Sequence, residues 1–387
     1  MSATYMSLLL CIFVGPHEMT NQHLPAQIAK TGFVLENRIA QLLKAAKCTV
    51  ISNRYYVDDA QESVREIDLV AYQTSKVQHF DVYTTLIISC KKSETNLWAL
   101  LARDINLKDP NSDWQPLHAW SNDKAITHQL ASSDVAKRYH DSAIKFGVGS
   151  ALQTPTVEVF AFQEMNKTSG APQNDKSIFA TVTSLMKAQA YELGALPQRK
   201  KAPAIYQFNL LSIVDTDLVR LMFTGQNIEP LPVDDEHYFV RYIIRKRESF
   251  SRIRFIRADK LADCLPEYGT LHLANCQWFD SECNSFYRDV LKDGRRVTVL
   301  IEEFRKEAAW HIRWPFLEHN LKAPPAASIG IFWKDNKASA QIYGEFGTEG
   351  ARILNADSKA KGRVAKALQK VYRYSGPFEF DDDDIPF

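Results

Sequence analysis

The chain of 387 residues carries 47 Lys and Arg against 46 Asp and Glu, and 45% of its residues are hydrophobic. This length and apolar content predict one large or two medium-sized domains with a packed core. The formal net charge of +1 excludes a global basic field, so any nucleic-acid surface must be local. The six cysteines form no CxxC pair, which disfavours a disulfide framework and favours a reducing, cytoplasmic compartment.

Residues 1–24 are predicted to form an N-terminal extension. The apolar run Met6–Val14 is too short to span a bilayer, and no Lys or Arg precedes it, which disfavours a signal peptide. We expect a short strand there, or an extension upstream of a second start at Met19, and no association with a membrane.

A helix is predicted over 25–47, because its apolar residues partly follow a helical period. Glu36 lies in the middle of this helix. The alternative interpretation of Glu36 is an ordinary solvent-exposed acid. A strand is predicted over 48–57. Two further strands, over 65–72 and 80–92, are predicted to form a hairpin, because β-branched and apolar residues flank a polar turn.

Charged residues lie at the start of the first strand of this hairpin and at the end of the second, and antiparallel pairing brings these two strand ends together. Residues two apart in a strand share a face, so Glu66 points the same way as Asp68, and Ser89 the same way as Lys91. Antiparallel pairing therefore brings Asp68 towards Ser89 and Lys91. Carboxylates are the ligands that Mg²⁺ takes in proteins, and a nearby lysine can orient a nucleophile and face the charge that develops on a phosphate.

The order of these residues resembles the PD-(D/E)xK, or restriction-endonuclease-like, nuclease superfamily. Its core carries a helix glutamate, an Asp at a strand start and (Asp/Glu)-x-Lys on the next strand, and Glu36, Asp68 and Lys91 match these positions. The departure is Ser89, where the family has an acidic residue. A hydroxyl brings no negative charge, so either metal affinity falls or another carboxylate substitutes, and Glu66 is nearest in sequence.

The resemblance implies an α/β fold with a restriction-endonuclease-like mixed sheet flanked by helices. It implies hydrolysis of DNA with Mg²⁺ or Mn²⁺, with Asp68, Lys91, Glu36 and Glu66 as catalytic residues. The metal ligands would be Asp68, Glu66, Glu36 and the backbone carbonyl of Cys90. Each of these side chains alone would be common on a solvated strand edge, and their order in the sequence is what favours the nuclease.

Four further residues are candidates for binding DNA. A long helix predicted over 122–146 contains Gln129 and Lys137, and in related nucleases the helix after the lysine strand often touches phosphate. Arg245 and Lys246 belong to a basic segment between two predicted strands. A solvated surface is the alternative for all four.

Three domains or segments are predicted after the extension. A continuous apolar strand over 156–162, expected in a sheet interior, a helix over 176–193 and a strand over 205–214 continue the alternating pattern. Residues 25–260 are therefore predicted to be the nuclease-like domain. Residues 261–375 are predicted to form a smaller α+β accessory domain with a helix over 276–291 and a hairpin turning at Asp335-Asn336. Residues 376–387 form an acidic tail that follows a basic helical segment.

The tail resembles the C-terminus of bacterial single-stranded-DNA-binding protein, the peptide by which that protein recruits repair and replication enzymes. The resemblance implies a tail that is disordered until bound. Its partner-binding residues would be Asp381, Asp382, Asp383, Asp384, Ile385, Pro386 and Phe387. In an alternative, the tail folds back onto the basic helix or onto the nuclease groove and blocks DNA.

Together these features predict a DNA endonuclease that joins proteins which bind the single-stranded-DNA-binding protein tail. A role in restriction or phage defence is implied by the family resemblance alone. The competing prediction is an inactive nuclease-fold protein that binds DNA or acts as an adaptor through its tail. The oligomeric state stays open, with a dimer as one option.

Overall fold

A computed structural model describes residues 24–58 and 62–382, and nearly all of the predicted N-terminal extension lies outside them. The helices are α1 (Leu24–Ile28), α2 (Gly32–Ala45), α3 (Lys124–Leu130), α4 (Val135–Lys145), α5 (Lys176–Arg199), α6 (Leu261–Tyr287), α7 (Gly294–Glu318), α8 (Gly347–Ala356) and α9 (Ser358–Tyr372). The strands are β1 (Thr49–Val57), β2 (Val64–Val77), β3 (Phe80–Lys92), β4 (Asn96–Asp104), β5 (Ala119–Ser121), β6 (Val157–Asn166), β7 (Ala204–Asp215), β8 (Leu218–Thr224), β9 (Asn227–Val233), β10 (Asp235–Ile244), β11 (Arg247–Arg257), β12 (Gly330–Lys334), β13 (Ser339–Gly344) and β14 (Phe378–Asp382). None of these described helices is long and apolar enough to cross a membrane.

The main sheet is built around the predicted hairpin. Its strand order is β1-β2-β3-β7-β11-β10, and the short β5 pairs with the start of β7. β1, β2 and β3 are antiparallel neighbours, β7 and β11 run parallel to β3, and β10 is antiparallel to β11. β3 and β7 lie in the middle with both faces covered, which explains their long apolar runs. The predicted mixed α/β sheet is confirmed.

Helices cover both faces of the main sheet. On one face, α2, α4 and α6 share a core with the sheet that includes Leu35, Ile39 and Trp278. On the other face, α5 and a second sheet, ordered β6-β4-β8-β9, share a core that includes Trp98 and Leu185. The strand predicted over 156–162 was expected in a sheet interior, but β6 lies at the edge of this second sheet.

Two predicted elements differ in their bounds. The polar segment 73–78 was expected to be the hairpin turn, but as far as Val77 its backbone continues β2, because cross-strand pairing extends to Val77 and Phe80. The turn is Gln78-His79, with φ of 49° at Gln78. The single helix predicted over 122–146 is two helices, α3 and α4. The carboxylate of Asp123 caps α3 by accepting a hydrogen bond from the backbone N–H of Ile126.

A third sheet, ordered β12-β13-β14, packs with α7, α8 and α9 around a core that includes Phe304 and Val364. The predicted hairpin is confirmed by the antiparallel pairing of β12 with β13. Residues 376–382 were predicted to belong to a disordered tail, but β14 pairs parallel with β13. The physical reason is that Phe380 is buried against Phe346. Residues 383–387 lie outside the described residues.

Helix α6 joins the main sheet to the third core. The helix predicted to begin at Cys276 begins instead at Leu261. Leu261, Leu271 and Phe279 are buried in the core beside the main sheet, and Phe286 at the end of the helix is buried in the third core. The predicted domain boundary at 261 therefore falls at the start of a helix that packs against the main sheet.

Candidate active site

The candidate site lies where two neighbouring strands separate. The pairing of β2 with β3 ends at Leu69 and Ile88. Beyond that point β2 continues beside β1 as far as Val64, whereas β3 continues beside β7 as far as Lys92. The two strands therefore leave a gap between them at this end of the sheet, and backbone groups facing the gap need other partners.

Asp68 fills this gap with its carboxylate. Its Oδ2 accepts a hydrogen bond from the backbone N–H of Cys90 at 2.6 Å and one from Ser89 Oγ at 3.2 Å. Lys91 Nζ lies 3.7 Å from the same oxygen. The predicted convergence of Asp68 with Ser89 and Lys91 is confirmed. Both charged side chains remain partly exposed, at 21% for Asp68 and 37% for Lys91, so the pair is accessible from solvent.

Glu36 reaches the same region from α2. Leu35 and Ile39 are buried against the main sheet, and this places Glu36 on the adjoining edge of the helix. Burial raises the pKa of Glu36, and the negative charges of Asp68 and Glu66 raise it further, while Lys91 opposes them. The predicted acids and the lysine thus interact electrostatically, although they come from three separate elements.

Glu66 lies at the exposed side of the gap. Its Oε1 accepts a hydrogen bond from Asn53 Nδ2 at 2.6 Å. Asn53 belongs to β1 and has a φ of 54°, a left-handed conformation that asparagine tolerates better than most residues. Glu66 is therefore oriented by a neighbouring strand and does not bond directly to Asp68.

Cys90 contributes its backbone. In an extended strand the N–H and C=O of one residue point to the same side, so the Cys90 carbonyl faces the gap in which its N–H binds Asp68. The thiol points into the core on the face of the sheet that α2 covers, where burial raises its pKa. The carbonyl is thus directed towards the predicted metal-binding region, whereas the thiol is part of the core.

The donor set is of the right chemical kind for a hard divalent cation. Carboxylate and carbonyl oxygens are the ligands that Mg²⁺ prefers. A cation would stabilise the ionised form of Glu36, whose pKa is raised by burial and by the neighbouring carboxylates. In the conformation described, however, no three His, Cys, Asp or Glu side chains of residues 24–58 and 62–382 are grouped so that they could hold a metal ion.

Helix α5 closes one side of the site, a contribution that was not predicted from the sequence. A cavity of about 80 Å³ extends from Asp68 and Ser89 to the helix, where Ala180, Ser184 and Ala188 line it. These small residues recur every four positions, which places them on one face of a helix. That spacing was the available signal, but nothing in the sequence indicated which strands the face would meet.

A buried ion pair fixes α5 in this position. Lys187 Nζ donates to both carboxylate oxygens of Asp58, at 3.0 and 2.9 Å, and both side chains are largely buried. Asp58 follows the end of β1, so the pair ties the helix to the edge of the main sheet. Removing one partner of a buried ion pair destabilises the folded protein, because the other charge then stays buried without a counter-charge.

The predicted DNA-binding residues lie elsewhere. Arg245 and Lys246 form the turn before β11, and the strand register puts the start of β11 ten residues, about 33 Å, from the level of Lys91. The amide of Gln129 donates to the Glu282 backbone carbonyl and side chain in α6. The structure does not bring these residues together with Asp68.

Lys137 also lies towards the end of the molecule that carries the hairpin turn. Its Nζ forms an exposed ion pair with Asp141 at 2.7 Å. The adjacent Arg138 contacts Glu282 near the end of α6, and that part of α6 binds Gln78 of the turn through Asp280. Lys137 is therefore separate from the candidate site.

The predicted partner-binding tail is only partly described. Asp381 lies 3.6 Å from Lys334 Nζ, and Asp382 Oδ1 accepts a hydrogen bond from the backbone N–H of Gly347 at 2.9 Å. Both aspartates thus take part in fixing β14. The other predicted tail residues are Asp383, Asp384, Ile385, Pro386 and Phe387, and they lie outside the described residues.

Comparisons of the chain with protein-family models, with curated proteins and with solved structures give no match.

Proposed function

We propose that this chain is a metal-dependent DNA endonuclease of the PD-(D/E)xK type. The observation that carries the proposal is the meeting of Asp68 and Lys91 at the rim of the gap between β2 and β3, with Nζ 3.7 Å from Oδ2. Glu36 acts on the same region electrostatically. The proposal is further supported by the order of these groups, a helix glutamate, a strand aspartate and a lysine ending the next strand.

In this proposal Asp68 is the principal ligand of Mg²⁺ or Mn²⁺, and Glu36, Glu66 and the Cys90 carbonyl are auxiliary ligands. When bound, the cation supplies Lewis-acid stabilisation of charge on the phosphate. Lys91 orients the attacking water and faces the negative charge that develops in the transition state. Ser89 and the N–H of Cys90 hold the Asp68 carboxylate in place through their hydrogen bonds.

Plasmid nicking in Mg²⁺ or Mn²⁺ tests the assignment. We expect the parent to nick DNA, and Asp68→Ala and Lys91→Ala to lose this activity. Lys92→Ala is the matched control, because Lys92 Nζ donates to the Ala29 carbonyl and lies beside Glu94. Cleavage that survives both substitutions at the site would remove the proposed roles of Asp68 and Lys91.

One observation favours the competing function, an inactive nuclease-fold protein that binds DNA or serves as an adaptor. The Asp68 oxygen that faces Lys91 already accepts two hydrogen bonds, and Ser89 adds no negative charge. Absence of nicking by the parent in either metal, together with retained DNA binding or tail-dependent capture, would favour this function.

We further propose that the tail recruits proteins that bind the single-stranded-DNA-binding protein tail, in a cytoplasmic role in restriction or phage defence. Phe387 and Pro386 would enter an apolar pocket of the partner, and the aspartates would follow a basic ridge. Because Asp381 and Asp382 help to fix β14, the deletion that tests the tail should begin at Asp383. Loss of pull-down of repair proteins is expected, whereas unchanged pull-down would contradict recruitment.

A further inference from the structure

A groove on the surface of the third core carries exposed aromatic side chains. It lies between α7 and α9 and has a volume of about 450 Å³. Trp310 and Trp314 line it, are 59% and 44% exposed, and pack against each other with ring centroids 5.4 Å apart. Exposed tryptophans are uncommon on a surface that binds no ligand or protein, because each leaves a large apolar area in contact with water.

Cations border the two indoles. Lys359 and Arg363 line the groove one helical turn apart on α9, a helix with five Lys or Arg and no Asp or Glu. Within residues 24–58 and 62–382 neither of these two side chains forms an ion pair or hydrogen bond through its charged group. Their charges are thus available to an acidic ligand.

The carboxylates of the groove are already engaged. Asp357 caps α9 by accepting hydrogen bonds from the backbone N–H groups of Lys359 and Ala360. Glu318 accepts a hydrogen bond from Trp314 Nε1 at 2.6 Å. The groove therefore combines an apolar aromatic wall with a cationic rim, which suits a peptide that has both acidic residues and a bulky apolar end.

We propose that the C-terminal residues Asp383–Phe387 of the same chain dock in this groove. Their sequence, Asp-Asp-Ile-Pro-Phe, supplies two further acids followed by three apolar residues. The acidic groups pair with Lys359 and Arg363, and the Ile-Pro-Phe end packs on Trp310 and Trp314.

The chain can reach the groove. Asn355 holds β14 through two hydrogen bonds with the backbone of Phe380, at 3.0 and 2.8 Å. Asn355 is two residues from Asp357, which lines the near side of the groove. Asp382 lies at Gly347, the first residue of α8, and Gly350 in the next turn of α8 packs on Phe316 of α7, beside Pro315 in the lining of the groove. Five extended residues after Asp382 span about 17 Å, enough to run from this end of α8 towards Trp314.

Docking in cis hides the segment that the proposed function assigns to recruitment, so a partner protein must compete with the groove. This inference deepens the tail half of the proposed function but does not depend on hydrolysis at Asp68. Its test involves neither DNA cleavage nor a repair protein, so its failure is distinguishable from the failure of either.

The test measures the binding of a labelled peptide, Asp-Asp-Asp-Asp-Ile-Pro-Phe, by fluorescence anisotropy. A chain shortened by Asp383–Phe387 should bind the peptide, and the full chain should bind it about tenfold or more weakly, because its own segment acts at a high effective concentration. In the shortened chain, Trp310→Ala should weaken binding about 30-fold, as expected for an aromatic anchor. Arg363→Glu should weaken it too, whereas Lys145→Glu, an equal charge change on α4, should not.

Four results would overturn the proposal. Equal affinity of the full and shortened chains would mean that the segment does not occupy the groove. Absence of peptide binding by the shortened chain would mean that the groove does not fit it. Dimers of the full chain that are lost on shortening would make a second copy the occupant. Binding of oligothymidylate but not peptide, with dependence on Trp310, would make the groove a nucleic-acid surface.

Discussion

Replacing Ser89 by aspartate places a second carboxylate beside Asp68, where the resembled family has its acid. Ser89 Oγ lies 3.2 Å from Asp68 Oδ2, and the adjoining cavity of about 80 Å³ gives room for the longer side chain. Two like charges about 4 Å apart repel by about 4 kcal/mol at an effective dielectric constant of 20. Lys91 Nζ, 3.7 Å from Asp68, offsets part of this.

We therefore expect Ser89→Asp to lower the free energy of unfolding by about 2 kcal/mol at pH 7 in EDTA. Ser89→Asn is the matched control, since it has a similar shape but adds no charge. Urea unfolding followed by circular dichroism measures both. Because the repulsion requires the introduced carboxyl to be ionised, the loss should disappear as pH falls below the pKa of about 3.9 that this carboxyl has in the unfolded chain.

A divalent cation should reverse the effect of Ser89→Asp. Mg²⁺ at about 100 times the dissociation constant of Ser89→Asp would add about 2.7 kcal/mol of stability, and the same Mg²⁺ concentration should stabilise Ser89→Asn, which has one carboxylate fewer at the site, by less. If the two variants unfold with equal free energies in EDTA, and Mg²⁺ stabilises neither, the carboxylate at this position neither repels Asp68 nor completes a cation site.

Four other substitutions probe the packing and charge of the fold. Glu36→Gln should stabilise the metal-free protein slightly at pH 7, because its raised pKa reflects an unfavourable charge in the folded state. Urea titrations should show that the gain vanishes below about pH 4.5, and a gain that persists there would have another cause. Gly350→Ala should cost about 1–3 kcal/mol, because a Cβ would lie 2.5 Å from Phe316. Gly362→Ala, in open space on α9, should add about 0.5–1 kcal/mol, and thermal melts that show the two changes equal would contradict this packing. Arg373→Ala removes a guanidinium that stacks on an aromatic ring 4.0 Å away and donates to Gln78 of the hairpin turn. It should cost about 1–2 kcal/mol in chemical unfolding, and a cost below about 0.5 kcal/mol would mean that this contact adds little.

The meeting of Asp68 with Ser89 and Lys91 was predictable because it depends on local rules. Alternation within a strand and antiparallel pairing of adjacent strands determine which side chains share a face. The apolar pattern of β2 and β3 was clear enough to identify both as strands, to which these rules apply. The prediction misplaced only the turn, since polar residues such as Lys76 sit at the exposed end of a long strand.

The partners that come from far along the chain were not predictable in this way. Asp58 meets Lys187 across 129 positions, and β4 pairs with β8 across more than a hundred residues. No local periodicity encodes such pairings, because each depends on which of several apolar faces meet. β9 gave an especially weak signal, since it contains two prolines and is largely exposed.

The ordered part of the tail was missed for a different reason. The composition of residues 376–387, with its run of aspartates, is typical of a disordered segment. Two phenylalanines, Phe378 and Phe380, nevertheless alternate with acids, and burial of Phe380 together with pairing to β13 is enough to form a strand. The acidic composition of the segment favoured disorder, although the alternation of aromatic and acidic residues within it is typical of a strand.

Helix α6 has a practical consequence for dividing this protein into fragments. A fragment that stops at residue 260 would strip from the main sheet the helix that contributes Leu271, Trp278 and Phe279 to its core. The apolar surface left bare would favour aggregation. A fragment intended to isolate the main sheet should retain the chain through Tyr287, and an insoluble shorter product would say nothing about the proposed activity.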